Sequence, residues 1–153
     1  MRFTGNSDAK ADAKGRIFLP AAFRKLLTQS GEEGLVMRRD IFQKCLVLYP
    51  RSVWDRMLDQ VVASTSPFNG KGRDVMRRLV AGTENLSLDS DGRILIPRRY
   101  LEMAGITSEV RFIGMDDTIE IWNRQAADAL LESEDQLALD MEALMNTTLC
   151  NHS

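Results

Sequence analysis

The chain has 153 residues, of which 44% are hydrophobic and 27% are charged, and its formal net charge is -2. This length and composition are typical of a globular chain that folds compactly around one ordinary core. The longest apolar runs are only a few residues and no apolar block follows the N-terminus, so the sequence predicts neither a membrane contact nor a secretory signal, and a cytoplasmic location is expected.

The N-terminal segment, residues 1–27, is basic. Against the acids Asp8 and Asp12 it contains six cationic side chains, namely Arg2, Lys10, Lys14, Arg16, Arg24 and Lys25. Such a segment can face a polyanion. A solvated basic patch is the alternative explanation of the same residues.

The first distinctive motif is DAKGRIFLPAAF, residues 12–23. The carboxylate of Asp12 can accept hydrogen bonds from backbone groups just downstream and Gly15 can take a positive φ, so together they predict a tight turn. A short strand should begin at Arg16, because Ile-Phe-Leu favours extended backbone. Pro20 cannot continue a central strand but suits the first turn of a helix, which is predicted to end near Leu27.

The middle of the chain predicts two strands and two helices. The runs LVMRR and KCLVLYP favour strands joined by a turn around Asp40, and a helix is expected from Arg51. STSPFNGKGR is predicted to be a loop, with GKGR flexible. DVMRRLVAG then predicts a short helix between Asp74 and Gly82. A second basic surface, or a subunit contact, is expected from Arg73, Arg77 and Arg78.

The motif recurs seventy-seven residues later as DSDGRILIPRRY, residues 89–100. Asp89 and Gly92 predict the same turn, a strand follows over residues 94–96, and Pro97 opens a helix. Two further strands, VRFIG and TIEIWN, are expected around a turn at MDD, with a long helix from Arg124. The agreement continues in register through these strands, so it indicates an internal duplication.

The duplication divides the chain into a first repeat over residues 1–64, a linker with a short basic helix over 65–82, and a second repeat over 83–153. The strands of each repeat are only four or five residues long, too short to bury a core alone. We therefore expect an α+β fold in which both repeats interlock into one small pseudo-twofold β-barrel with flanking helices.

The C-terminal segment is acidic. Beyond residue 127 it contains six acids and no Lys or Arg, so residues 1–127 carry +4. Within this segment LLESEDQLALDMEALM has leucines and methionines at roughly helical spacing, which predicts an amphipathic helix packed on the body. An acidic tail that competes with DNA for the basic face is the alternative.

An enzyme would need a nucleophile, a base or a metal, and the sequence is poor in all three. The only histidine is His152, next to the last residue, and neither Cys45 nor Cys150 has a CxxC partner. No phosphate-binding loop, dinucleotide fingerprint, GxSxG or HExxH occurs. We therefore predict no catalytic residue, no metal and no cofactor, and a chain that is not an enzyme.

The best candidate site is the arginine that follows each turn, Arg16 and Arg93. For an isolated arginine, an ion pair with its motif aspartate or an exposed charge would be a sufficient explanation. A pseudo-twofold axis would place the two arginines symmetrically, with Lys10, Lys14 and Arg24 near the first of them. Because arginine contacts phosphates and guanine edges through two parallel hydrogen bonds, this set predicts binding to double-stranded DNA.

Two DxxGR turns, each followed by a short apolar strand, a proline and a helix, resemble the MraZ family, a tandem form of the AbrB-like swapped-hairpin fold. The resemblance covers Phe3 through Trp122. It implies a cytoplasmic, nucleoid-associated bacterial transcriptional regulator, here expected to be a repressor. It also implies a ring-shaped homo-oligomer that binds short direct repeats upstream of the division and cell-wall gene cluster.

The family's DNA-contacting arginine corresponds to Arg16 and, by repeat, to Arg93. In the second turn Asp91 takes the place of Lys14. Because an acid beside a phosphate contact is unfavourable, Arg16 is the stronger of the two predictions.

Two other functions fit the same sequence. In a structural or partner-binding oligomer the arginines would form subunit salt bridges, and replacing Arg16 would dissociate the assembly. An antitoxin of the AbrB-like fold is the second alternative, although such chains more usually carry one copy of the motif.

Overall fold

A computed structural model describes residues 1–66 and 68–151, with side chains as far as residue 147 at the C-terminal end, so His152 and the side chain of Cys150 lie outside the described residues. The strands are β1 (Asn6–Lys10), β2 (Arg16–Phe18), β3 (Leu35–Arg39), β4 (Leu46–Pro50), β5 (Thr83–Leu86), β6 (Arg93–Leu95), β7 (Glu109–Met115) and β8 (Thr118–Asn123). The helices are α1 (Ala21–Gln29), α2 (Arg51–Ala63), α3 (Gly70–Ala81), α4 (Arg98–Met103), α5 (Arg124–Leu130) and α6 (Glu134–Asn151).

The two repeats exchange their first strands. Six strands form one antiparallel sheet in the order β1-β7-β8-β4-β3-β5. In this order β1 of the first repeat pairs with β7 of the second, and β5 of the second repeat pairs with β3 of the first. The remaining strands, β2 and β6, pair with each other. Neither repeat therefore completes its sheet alone.

The α+β class and the interlocked tandem repeats are confirmed. The sheet itself is open, because within the described residues no ladder joins its edge strands β1 and β5. The expected small barrel therefore takes the form of an open sheet and a separate two-stranded ribbon, the β2–β6 ribbon. The ribbon is separate because β2 and β6 hydrogen-bond to each other and not to the sheet edges.

One hydrophobic core is shared by both repeats. It contains the buried side chains of Ile17 and Ile94 from the ribbon and of Phe112 from β7. Phe3 and Phe23 pack edge to face within it, with their ring centroids 5.4 Å apart. Because alternate side chains of a strand point to opposite faces, burial of the two isoleucines fixes the ribbon by one face and leaves the other face to solvent.

Ion pairs fasten β1 to the second repeat. Arg111 on β7, whose side chain is only 13% exposed, contacts Asp8 of β1 at 2.7 Å and Asp128 of α5 at 2.7 Å. The side-chain hydrogen bond from Arg111 lowers the pKa of Asp8 below its ordinary value. The polar strand β1 offers little apolar surface of its own. Ion pairs therefore hold it in place in addition to its backbone hydrogen bonds to β7.

Two local predictions in the helical segments were wrong. GKGR, expected to be a flexible loop, is the first turn of α3, because the side chain of Asn69 accepts hydrogen bonds from the backbone N–H groups of Lys71 and Gly72 at 3.0 and 3.2 Å. The long helix expected from Arg124 is divided into α5 and α6. Ser133 caps the second piece, accepting from the backbone N–H of Gln136 at 3.1 Å.

The predicted packing of the acidic helix on the body was also wrong. Ala127 of α5 is buried, but every residue from 131 to 147 is exposed. The break between α5 and α6 ends the packed part of the segment, so α6 lies outside the core. None of the helices formed by the described residues combines the length and the apolar character that crossing a membrane requires.

Candidate nucleic-acid interface

The first turn is built around the carboxylate of Asp12. Its Oδ1 accepts the backbone N–H groups of Lys14 at 3.0 Å and of Arg16 at 2.9 Å, and its Oδ2 accepts from Nε of Arg16 at 2.6 Å. The backbone N–H of Gly15 donates to the carbonyl oxygen of Asp12 at 3.0 Å. Gly15 has a φ of +89°, a conformation that glycine adopts without steric cost.

The second turn has the same geometry. Oδ1 of Asp89 accepts the backbone N–H groups of Asp91 at 3.0 Å and of Arg93 at 2.8 Å, and Oδ2 accepts from Nε of Arg93 at 2.8 Å. Gly92 has a φ of +85°. The duplicated sequence therefore produces duplicated structure at the level of single hydrogen bonds.

Both motif carboxylates are ionised at neutral pH. The pKa of Asp12 is lowered from its ordinary value by the backbone N–H of Arg16 and further by the guanidinium of that residue, and Arg93 lowers the pKa of Asp89 in the same way. Because the folded-state pKa is lowered, the contribution of each carboxylate to stability is present above about pH 4 and is lost as the pH falls through the lowered pKa.

The β2–β6 ribbon joins the two turns. Its strands are antiparallel, with Ile17 opposite Ile94. The backbone N–H of Leu19 donates to the carbonyl oxygen of Gly92 at 3.1 Å, and that of Ile96 donates to the carbonyl oxygen of Gly15 at 2.9 Å. These reciprocal contacts define a local twofold axis, and they place one turn at each end of the ribbon.

The side of the ribbon that is turned away from the core, here called the outer face, consists of Arg16, Phe18, Arg93 and Leu95. Phe18 is 55% exposed and Leu95 is 53% exposed. Arg16 lies opposite Leu95, and Arg93 lies opposite Phe18, with its guanidinium carbon 5.7 Å from the Phe18 ring centroid. The two arginines are diagonal neighbours, so they lie about 7–8 Å apart across the ribbon.

Arg16 and Arg93 differ in the partners of their guanidinium groups. Arg93 contacts two carboxylates, since Nε lies 2.8 Å from Asp89 and a terminal nitrogen lies 3.2 Å from Asp91. Arg16 uses only Nε, toward Asp12 at 2.6 Å. Its two terminal nitrogens have no partner among residues 1–66 and 68–151. Arg16 therefore retains the parallel donors that a phosphate or a guanine edge accepts.

The other predicted cations lie in three different places. Lys14 is exposed within the first turn, and no carboxylate of the described residues is within ion-pair distance of it. Lys10 is exposed at the end of β1, opposite Glu109 in the ladder. Arg24 packs against Gly92 of the second turn, where an added Cβ would overlap its side chain. The expected position of Arg24 beside Arg16 was therefore wrong, because β2 runs antiparallel to β6 and leads into α1 at the far end of the ribbon.

The two turns differ in the acids beside their arginines. At the second turn Asp91 compensates Arg93. Arg98 and Glu102 contact each other at 3.4 Å and line a pocket together with the first turn, because antiparallel pairing places α4 at that end of the ribbon. The guanidinium of Arg16 is nevertheless the less occupied of the two motif arginines.

Phe18 and Leu95 belong to the outer face, although the sequence predicted them only as strand formers. A signal for them was present, because alternate residues of a strand share a face and each follows its arginine by two positions. The pairing of β2 with β6 had no such signal, since it joins segments that lie far apart in the chain.

An exposed two-stranded ribbon with paired arginines has a shape and chemistry suited to duplex DNA. The major groove admits a two-stranded β-ribbon, arginine donates to guanine N7 and O6, and apolar side chains contact thymine methyl groups. Cations at the ends of the ribbon can contact phosphates and so fix its position. As for metal chemistry, the described part of the chain contains no group of three or more His, Cys, Asp or Glu side chains that could hold an ion.

Comparison with known proteins gives one matching family model and three similar relatives. The family model described as "MraZ protein, putative antitoxin-like" matches residues 2–78 and again residues 79–146. The chain is 46% identical to the transcriptional regulator MraZ of Phocaeicola vulgatus over 147 residues, 96% of each chain. It is 44% identical to that of Bacteroides thetaiotaomicron over 146 residues, 95% of this chain and 94% of the relative. With that of Marinomonas sp. it shares 34% identity over 152 residues, 99% of each chain.

Proposed function

The chain belongs to the MraZ family, and on that premise we propose that it is a transcriptional regulator that binds double-stranded DNA through the outer face of the β2–β6 ribbon. Arg16 is the principal contact in this proposal. Arg93, Lys14 and Lys10 supply further positive charge toward the DNA, and Arg24 supports the second turn. The relatives are named for transcription regulation and the family is not an enzyme family, so the chain is not an enzyme.

The proposal extends to the target and to the assembly. We expect a cytoplasmic, nucleoid-associated repressor that acts on the division and cell-wall gene cluster by binding short direct repeats upstream of its own gene. A ring-shaped homo-oligomer suits such a target. Each copy contributes a small contact, and copies held together on one duplex gain effective concentration, so affinity and preference for spaced repeats rise steeply with assembly.

One observation supports DNA binding most strongly. Two turns that are seventy-seven residues apart in the sequence lie at the two ends of one solvent-facing ribbon. At the first turn the terminal nitrogens of Arg16 are without a partner among the described residues. A pair of arginines used only to stabilise the fold would not need an exposed face that also carries Phe18 and Leu95.

Binding of the wild-type chain to two duplexes, measured at increasing salt, tests this proposal. One duplex is taken from the region upstream of the chain's own gene, and the other has the same base composition in scrambled order. Affinity for both should fall steeply with salt, because cations that contact phosphates displace counterions. The native duplex should be preferred at every salt concentration. Equal and weak binding of both duplexes at low salt would overturn the proposal.

An antitoxin-like role is the second candidate function, since the matching family description includes those words. It predicts a stoichiometric complex with a toxin encoded beside the chain's gene. The duplication of the turn argues against it, because AbrB-like antitoxins more usually carry one copy. Co-purification with such a neighbour, without a preference between the two duplexes, would favour the antitoxin role over the repressor role.

A further inference from the structure

The acidic helix α6 presents an apolar stripe to solvent. Leu137, Met141 and Met145 recur every four residues and so lie along one side of the helix. They are 56%, 54% and 53% exposed. At about 100° per residue, Asp140 falls on one flank of this stripe and Glu142 on the other. The helix therefore combines an exposed apolar stripe with negative charge along both of its edges.

A groove between α2 and α3 has the complementary character. It has a volume of about 700 Å³, and its lining includes Val62 of α2 with Met76 and Val80 of α3. Arg73 and Arg77 line the same groove. The four α3 residues follow the spacing i, i+3, i+4, i+7, so they share one face of that helix.

The positive charge of this groove is available to a partner. No carboxylate among residues 1–66 and 68–151 lies within ion-pair distance of Arg73. Arg77 has a single contact, 3.5 Å from Asp74, and its side chain is 67% exposed. Val62 and Val80 are 50% and 38% exposed. A phosphate backbone would use the charge of this surface but not its apolar part, whereas an acidic helix with exposed apolar side chains would use both.

We propose that α6 of one copy of the chain docks in the α2–α3 groove of a second copy. Leu137, Met141 and Met145 would pack against the apolar lining, and Asp140 and Glu142 would lie near the groove arginines. This inference rests on the homo-oligomer proposed above and names the contact that builds it.

The contact has a consequence for the form of the assembly. Helix and groove are different surfaces, so one copy can offer its helix to one neighbour and its groove to another. Such a heterologous contact closes into a ring when the rotation between neighbours permits, whereas a reciprocal exchange of helices between two copies would end at a dimer.

Charge reversal with rescue tests the contact. In one variant Asp140 and Glu142 are both replaced by lysine, and in another Arg73 and Arg77 are both replaced by glutamate. Each should raise the protein concentration needed for assembly at least tenfold, as measured by light scattering. An equimolar mixture of the two variants pairs reversed helices with reversed grooves, and it should recover much of the assembly.

Arg56→Glu is the matched control. Arg56 is exposed on α2 but does not line the groove, so the same reversal of charge there should leave the mass unchanged. Met141→Glu probes the apolar part of the contact. Because Met141 is exposed, this variant should keep its circular dichroism spectrum and lose assembly.

The outcomes separate this contact from the assembly itself. If both charge-reversed variants keep the wild-type mass, the proposed contact is wrong but the oligomer is still supported. Failure of the mixture to reassemble would overturn it as well, provided that each variant is folded. A wild type that stays monomeric at all concentrations would overturn the proposed oligomer and this contact together, while DNA binding is measured separately.

Discussion

Replacing Arg16 with alanine is expected to weaken binding to the chain's own upstream DNA at least tenfold at fixed salt. One bidentate arginine contact is worth about 1–3 kcal/mol, and the loss is multiplied when several copies engage one duplex. The fold should survive, because the backbone N–H groups of Lys14 and Arg16, which hold the Asp12 carboxylate, remain after the side chain is removed. Fluorescence anisotropy measures the affinity, and light scattering follows the oligomer mass.

Two further variants sharpen this result. Arg93→Ala should cost less affinity, because Asp89 and Asp91 already occupy that guanidinium. Arg56→Ala removes an exposed arginine that lies away from the ribbon and should leave binding unchanged. If Arg16→Ala binds DNA normally, Arg16 is not a contact. If it loses binding only because the oligomer dissociates, the arginine is a subunit contact, as the structural alternative requires.

Gly15→Ala is expected to lower the free energy of unfolding by about 2–5 kcal/mol. Positive φ costs a residue with a Cβ about 1–2 kcal/mol. In addition, the new Cβ would overlap the carbonyl oxygen of Ile96, and overpacking adds about 1–3 kcal/mol. The backbone at Ile96 cannot move aside without stretching the 2.9 Å bond from its N–H to the Gly15 carbonyl oxygen.

Gly31→Ala is the control for backbone conformation. Gly31 also has a positive φ, +70°, but an added Cβ there would meet nothing within 4 Å. Gly31→Ala should therefore lower the free energy of unfolding only by the conformational cost of about 1–2 kcal/mol. Urea unfolding at equal protein concentration compares the two variants, since the stability of an oligomer depends on concentration. Equal losses would mean that the turn and the opposite strand are not tightly packed.

Local residue chemistry made the turns and their following helices predictable. The Asp-x-x-Gly spacing contains both the hydrogen-bond acceptor and the residue that tolerates positive φ, and each proline marks a helix start. The exchange of β1 and β5 between the repeats was beyond such reasoning. Both strands are polar, so neither shows a clear apolar alternation, and their partners lie far along the chain.

The candidate site was predictable in part for the same reason. The duplicated motif pointed to Arg16 and Arg93, and in both turns the motif aspartate accepts a hydrogen bond from Nε of the arginine. The place of Arg24 depends on the direction of β2 relative to β6, which only the fold supplies. The start of α3 was missed because a side-chain cap at Asn69 overrides the glycine-rich composition that follows it.

Site-specific photocrosslinking shows directly whether the outer face of the ribbon contacts DNA. A photoreactive phenylalanine analogue replaces Phe18 on the outer face in one protein. In a second it replaces Phe42, which is 87% exposed and lies between β3 and β4. Both are irradiated with the native upstream duplex. We expect strong crosslinks from position 18 at the direct repeats of the DNA and none above background from position 42. Crosslinks from position 42 with none from position 18 would contradict it.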